Sequence, residues 1–188
     1  AQFITKRVTT PDSLSLQHKA LEVYQQLIAF HLADSDPTAL LDADINRIGF
    51  VRERSVHSLK DSLYLAALKN ITQQYPEHPA AASAWYFIAS NYEQKAAQYK
   101  PYGDSTYQYE KVKAREICER VLQQKTESEG RTDCQNILNS LLFRNLNFQM
   151  ERANIPGQPI RVLMQYANVP LINLRIVRLD EKLKEELN

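Results

Sequence analysis

The sequence predicts a mainly α chain in which antiparallel helical hairpins are followed by a short antiparallel β segment, the start of a β-sandwich. Three observations predict it. From Leu14 to Phe143 apolar residues recur at intervals of three and four, the spacing that lines one face of a helix. Within that region "SAWYFIASNYEQKAAQY" sets Trp85, Ile88, Ala89 and Tyr92 at intervals of three, one and three, and Cys134, Ile137, Leu138 and Leu141 repeat the same intervals. After Phe143 the period drops to two, with Leu146, Phe148 and Met150 alternating with Asn147, Gln149 and Glu151, as on a half-buried strand. The division implied is a helical-repeat domain over residues 1–144 and a β-strand segment over residues 145–188.

In chain order, Pro11, Asp12 and Ser13 form a helix-start cluster, and "LSLQHKALEVYQQLIAFHLAD" offers Leu21, Tyr24, Ile28 and Leu32 as a buried stripe. "DSDP" (Asp34 to Pro37) breaks the chain and restarts it, proline being well tolerated in a first helical turn. A second helix over Thr38 to Arg54 would bury Leu41, Ile45, Ile48 and Val51. Ser58 with Asp61 has the spacing of a capping box for "LKDSLYLAALKNITQQYP", which ends at Pro76. After the "EHP" turn, the central helix runs from about Pro79 to Tyr99 behind an alanine-rich first turn that favours helix. "KPYGDST" is a loop closed by Asp104, Ser105 or Thr106 as N-cap. The next helix turns Ala114, Ile117, Cys118, Val121 and Leu122 inward, and the polar "TESEGRT" leads to "DCQNILNSLLFRN".

These hairpins have a tetratricopeptide-like rhythm. Pro76 stands where a unit's closing proline belongs, with Ile71 five residues before it. Trp85, Ile88, Ala89 and Tyr92 suit the first helix of the following unit: the small Ala89 admits a neighbouring helix, while Trp85 and Tyr92 fill the space above and below. The second helix of that unit arrives about a dozen residues late at Ala114, the loop around Pro101 and Gly103 absorbing the difference. The repeats are degenerate. With Ile137, Leu138 and Leu141, these positions form the expected structural core.

In the β segment "NIPGQP" is a turn, Ile160, Val162, Met164 and Tyr166 alternate with Arg161 and Gln165, and "ANVP" is a second turn. "LINLRIVRL" reads as a third strand with Ile172, Leu174 and Ile176 on one face, followed by the charged tail "DEKLKEELN". Three such strands have a face to bury and two edges to satisfy. The remainder of the sandwich would meet both needs. Without it the sheet would lean on the helices, or pair edge to edge with a second copy in a symmetric dimer produced by truncation.

Composition excludes several classes. A formal charge of +1, with no basic block among aromatics, argues against a nucleic-acid surface. No apolar run approaches the ~18 residues of a membrane span. Four glycines cannot build a phosphate cradle. Among the serines none sits in a glycine-flanked elbow or an S-x-x-K arrangement, and the sequence offers no catalytic constellation and no cofactor site. The opening "AQFITKRVTT" has neither an initiator methionine nor a signal peptide's apolar core, and reads as the start of an excised segment.

Candidate ligands fare little better. Asp42, Asp44, Asn46 and Glu53 stand at positions 1, 3, 5 and 12 of a calcium loop, but Arg47 occupies the position where the turn needs glycine. The same residues also make one amphipathic helix. His18, His31, His57 and His78 are scattered without metal-ligand spacing. A stripe through Trp85, Tyr92 and Tyr99 is better explained as core than as a peptide groove. Cys118 and Cys134 lie on consecutive helices. A reversal near Thr126 or Glu127 would bring them about opposite each other, so a disulfide closing a loop of ~15 residues, worth about 3 kcal/mol, is geometrically open. Two small buried thiols are the alternative, and export of the protein would decide between them.

Four stretches, "DSLYLAALKNITQQYPEHP", "AWYFIASNYEQKA", "AREICERVL" with "CQNILNSLL", and "IPGQPIRVLMQYANVPLINLRIVRL", together resemble a segment of the large alpha-2-macroglobulin family proteins of gut Bacteroidetes. In those proteins a helical-repeat region leads into the first macroglobulin-type β-sandwich, and Glu151, Pro156, Pro159, Asn168, Leu174 and Arg175 follow the progression of that junction. The resemblance implies an exported periplasmic or cell-envelope protein of the protease-trapping class. Its partners would be later domains of the same chain and proteases. The family's thioester motif is Cys, any residue, Glu-Gln; here the cysteines read "CER" and "CQN", so no active residue carries over and this segment would be non-catalytic scaffold. The rival reading is a stand-alone adaptor that binds a protein or peptide partner in its concave face.

Overall fold

Periodicity and local capping produce seven α-helices and one two-stranded sheet among residues 2–151, 153, 155 and 157–175, which are those the computed structural model describes. The short α1 (Gln2–Thr5) is tied down by Gln25, whose Nε2 donates to the carbonyls of Phe3 at 2.8 Å and Lys6 at 2.7 Å. α2 (Leu16–His31) starts later than the Pro11–Ser13 cluster suggested. Ser15 is its N-cap, accepting from the His18 amide at 3.3 Å, while Asp12 is spent on the preceding turn, accepting from the Leu14 amide at 2.9 Å. α3 spans Thr38–Arg54, and Asp36 accepts from the Thr38 amide at 2.9 Å just ahead of it.

α4 (Lys60–Gln74) has no capping box. Leu59 is its N-cap, with no side-chain bond, and Asp61 instead accepts from Arg52 Nε at 2.7 Å. The spacing matched the motif, but a guanidinium brought close by the α3–α4 packing gives a charge-assisted bond that a local cap does not. His78 starts a 3₁₀ turn (Pro79–Ala81) by accepting from the Ala80 amide at 3.2 Å, and α5 (Ala82–Ala96) follows, ending three residues short of Tyr99. None of Asp104, Ser105 and Thr106 caps the next helix. Asp104 closes its own turn on the Thr106 amide at 2.9 Å, and α6 (Glu110–Leu122) begins after a further turn, with Tyr109 as N-cap. α7 (Glu129–Leu142) starts inside the stretch expected to be a turn, where Ser128 Oγ accepts from the Arg131 amide at 3.3 Å.

The chain divides into two units, Ala1–Leu141 and Leu142–Asn188. In the first, consecutive helices pack as neighbours from α2 to α6 and bury two apolar clusters. One joins Leu41, Ile45 and Ile48 of α3 to Tyr64, Leu68 and Ile71 of α4 and Ala84 and Ile88 of α5. The other joins Ala82 and Ala89 of α5 to Ala114, Cys118 and Val121 of α6 and Cys134, Ile137 and Leu138 of α7. Trp85, Tyr92 and Ile117 are partly buried and touch both, and Leu141 packs against the second. Burying one large apolar side chain contributes about 1.5–3 kcal/mol, so these clusters supply most of the helical unit's stability. Leu32 and Val51, expected in the buried stripes, are exposed at the ends of theirs, 45% and 39%. No helix among the described residues is long and apolar enough to cross a membrane.

In the second unit β1 (Asn145–Met150) and β2 (Val162–Ala167) pair antiparallel, with Leu146 opposite Tyr166, Phe148 opposite Met164 and Met150 opposite Val162. The alternation therefore collects six apolar side chains on one face. All but Met164 are exposed. Asn168 leaves β2 at φ 54°, a left-handed conformation that asparagine tolerates, and its Nδ2 donates to the Phe143 carbonyl at 2.9 Å. Leu171 to Arg175, the first part of the expected third strand, are not in a strand. Ile176 and the rest of that stretch, with the charged tail, lie outside the described residues.

Candidate functional site

The wet face of α3 carries a second pattern behind its core stripe. Asn46, Gly49, Phe50 and Glu53 stand at intervals of three, one and three, so they share a face opposite Leu41 and Ile48. On α5, Tyr86, Ser90 and Gln94 follow one another at intervals of four, with Phe87 and Asn91 one residue on from the first two. Packing α2, α3, α4 and α5 together brings these faces around a groove of about 540 Å³, also lined by Tyr24 and Tyr64. Its walls are aromatic. The Tyr24 and Phe50 rings lie 5.7 Å apart, and those of Tyr86 and Phe87 5.1 Å.

At its floor lies Asn91, 6% exposed, whose Oδ1 is buried without a hydrogen-bond partner. An unpaired buried amide costs about 1–3 kcal/mol. Gln124 Oε1 is in the same condition, but its Nε2 donates to the Pro76 carbonyl at 3.2 Å away from the groove. Arg52 lies over the Tyr64 ring at 4.6 Å while its Nε is held by Asp61. Glu53 is exposed and has no ion-pair partner among the described residues. Burial holds the Tyr64 hydroxyl above the usual phenol range, and burial with the Asp133 carboxylate nearby does the same for Tyr86. Both are neutral hydroxyls at physiological pH.

Of the candidate ligand residues named from the sequence, Asn46 and Glu53 line this groove and the others lie elsewhere. Trp85 and Tyr92 belong to the interface between the two clusters, with Arg120 over the Trp85 ring at 5.2 Å and Lys113 over the Tyr92 ring at 5.6 Å. Tyr99 follows the end of α5, so the three rings form no continuous wall. Asp42, Asp44, Asn46 and Glu53 ride on unbroken α3. There Asp44 accepts from Arg47 Nε at 2.8 Å, and Asn46 donates to Asp42 at 3.1 Å. The histidines serve local structure: His57 Nδ1 accepts from the Leu59 amide at 3.0 Å, His31 meets Asp34 at 2.7 Å, and His18 Nε2 meets the Val8 carbonyl at 2.9 Å.

Cys118 and Cys134 are free thiols, both 0% exposed, brought together where α6 meets α7. The hydrogen bond with Cys118, with burial, pushes the Cys134 thiol well above the ordinary thiol range. The same bond draws the Cys118 thiol below that range, but both sulfurs are shielded from solvent, and a thiol that a reagent cannot reach does not attack. A disulfide-exchange reagent such as Ellman's should therefore label neither cysteine in the folded protein. Stoichiometric labelling before unfolding would show that α7 does not cover them.

Asn91, Gly49 and Tyr86 went unrecognised in the sequence, and Glu53 stood out there only as a position of the calcium-loop pattern. The one available signal was the second face of α3, where a mid-helix glycine stands between polar and aromatic residues. No family model, curated protein or solved structure matches the chain.

Proposed function

We propose that the helical unit is a non-catalytic protein-interaction scaffold that binds a peptide segment of a partner in the groove between α2 and α5. The observation that carries this reading is the Asn91 carbonyl, buried and unpaired at the floor of an aromatic-walled groove. A side-chain amide has one acceptor and two donors, which complement the N–H and C=O of an extended backbone. The tyrosine and phenylalanine rings offer rigid apolar contact at low entropic cost.

Small probes test it. Titrating ¹⁵N-labelled protein with N-methylacetamide and p-cresol, mimics of a peptide bond and an aromatic side chain, should shift the Asn91 side-chain amide and the backbone amides of Gly49 and Phe50. Leu138 in the second cluster should stay still. Shifts spread evenly over both would remove the groove from consideration.

The β hairpin favours a second, compatible reading. Two strands whose apolar face is largely exposed need further strands to cover it. In this reading the chain is the helical scaffold and first sandwich strands of an exported alpha-2-macroglobulin-like protein of the protease-trapping class. Hydrogen exchange should then be fast at Phe148 and Met164 in this chain and slow in a longer version that supplies macroglobulin-type strands. Equal protection in both would count against it.

A further inference from the structure

We infer that the groove selects a peptide carrying a lysine or arginine, its backbone paired with the Asn91 amide and its cation held by Glu53 among the aromatic rings; this rests on the peptide-binding reading above.

Two independent features place a backbone here. The first is the unpaired Asn91 carbonyl. The second is Gly49, in the middle of α3, where an added Cβ would meet no heavy atom within 4 Å. Glycine inside a helix is less stable than alanine by about 1 kcal/mol, and no packing in this fold requires it. What a glycine supplies there is bare helix surface, on which another chain can lie closely.

Charge then chooses the side chain. Two charged residues line the groove, Arg52 and Glu53. The Arg52 guanidinium is already matched by Asp61, 2.7 Å from its Nε. Glu53, one turn after Gly49, is left as the unbalanced charge. An acidic side chain entering here would meet a carboxylate with no cation to spare, whereas a basic one gains both Glu53 and the negative ring faces of Phe50 and Tyr86.

A random seven-residue peptide library displayed on phage should be selected in parallel on the full chain and on the Gly49→Leu and Glu53→Gln variants. A Cβ at position 49 meets no heavy atom within 4 Å and leucine is a better helix former than glycine, so that variant should melt no lower than the parent while its side chain occupies the groove. The expected result is enrichment of Lys or Arg at one register position on the parent chain, no enrichment on Gly49→Leu, and loss of the basic preference on Glu53→Gln. In a synthetic peptide from the selection, changing that cation to Gln should weaken binding about tenfold. Peptides that are enriched on the parent and lost on Gly49→Leu, yet carry no basic residue, would overturn this inference and leave the groove standing. No enrichment on the parent, or enrichment unaffected by Gly49→Leu, would overturn both. Should Gly49→Leu fail to fold, Glu53→Lys decides: it must lose the basic peptides, and retention of them sinks the proposal.

Discussion

Replacing Gly130 with alanine should destabilise the helical unit by about 3 kcal/mol, the upper end of the usual cost of overpacking. A Cβ at this position would lie 2.2 Å from the Ser83 nitrogen, 2.3 Å from the Ala82 carbonyl carbon and 2.6 Å from its oxygen. These are backbone atoms, so no rotamer change relieves the clash and α7 must move off α5. That displacement opens the second cluster at Ala82 and Cys134, both 0% exposed. The same substitution at Gly49 should do the opposite and add about 0.5–1 kcal/mol, since the new methyl meets nothing and the unfolded chain loses freedom. Urea denaturation of the two variants beside the parent reads both signs. A Gly130→Ala midpoint within error of the parent would show that the start of α7 is not seated on α5.

Trp85→Ala should cost about 3 kcal/mol, the lower end of the range for a large ring lost from a core, because the indole is only partly buried. Its leverage is positional: it packs against both clusters, so removing it loosens both at once. Arg120, 5.2 Å above the ring, should lose about 0.5–1 kcal/mol of cation–π attraction with it. A double-mutant cycle with Arg120→Ala isolates that part. Trp85 is the chain's one tryptophan, so unfolding has to be followed by far-ultraviolet circular dichroism. Loss of less than ~1 kcal/mol would mean the two clusters do not depend on a shared side chain.

Much of the helical architecture was legible because its causes are local. Pro37 and the spacing of Leu41, Ile45 and Ile48 set α3 to the residue, and the switch to a period of two after Phe143 announced β1 and β2. Apolar periodicity reports which face of an element turns inward, whatever it packs against. Where the pattern ran to the end of an element, at Leu32 and Val51, it overreached, since no neighbour extends far enough to cover those turns.

What the sequence by itself determined was the order of α2 to α7 and of β1 and β2, most of the inward faces, and the place of Ile88 and Ala89 at the centre. Only the tertiary structure decided which outward faces meet. Asn91, Gly49 and Glu53 lie on different turns of α3 and α5, and nothing in either helix's own periodicity tells one wet face that another lies across a groove from it. The same holds for Asp61, drawn from its local cap to Arg52, and for Gly130, whose missing side chain matters only because Ala82 and Ser83 arrive beside it. Periodicity carries one dimension of information, and a binding groove is a relation between helices distant along the chain.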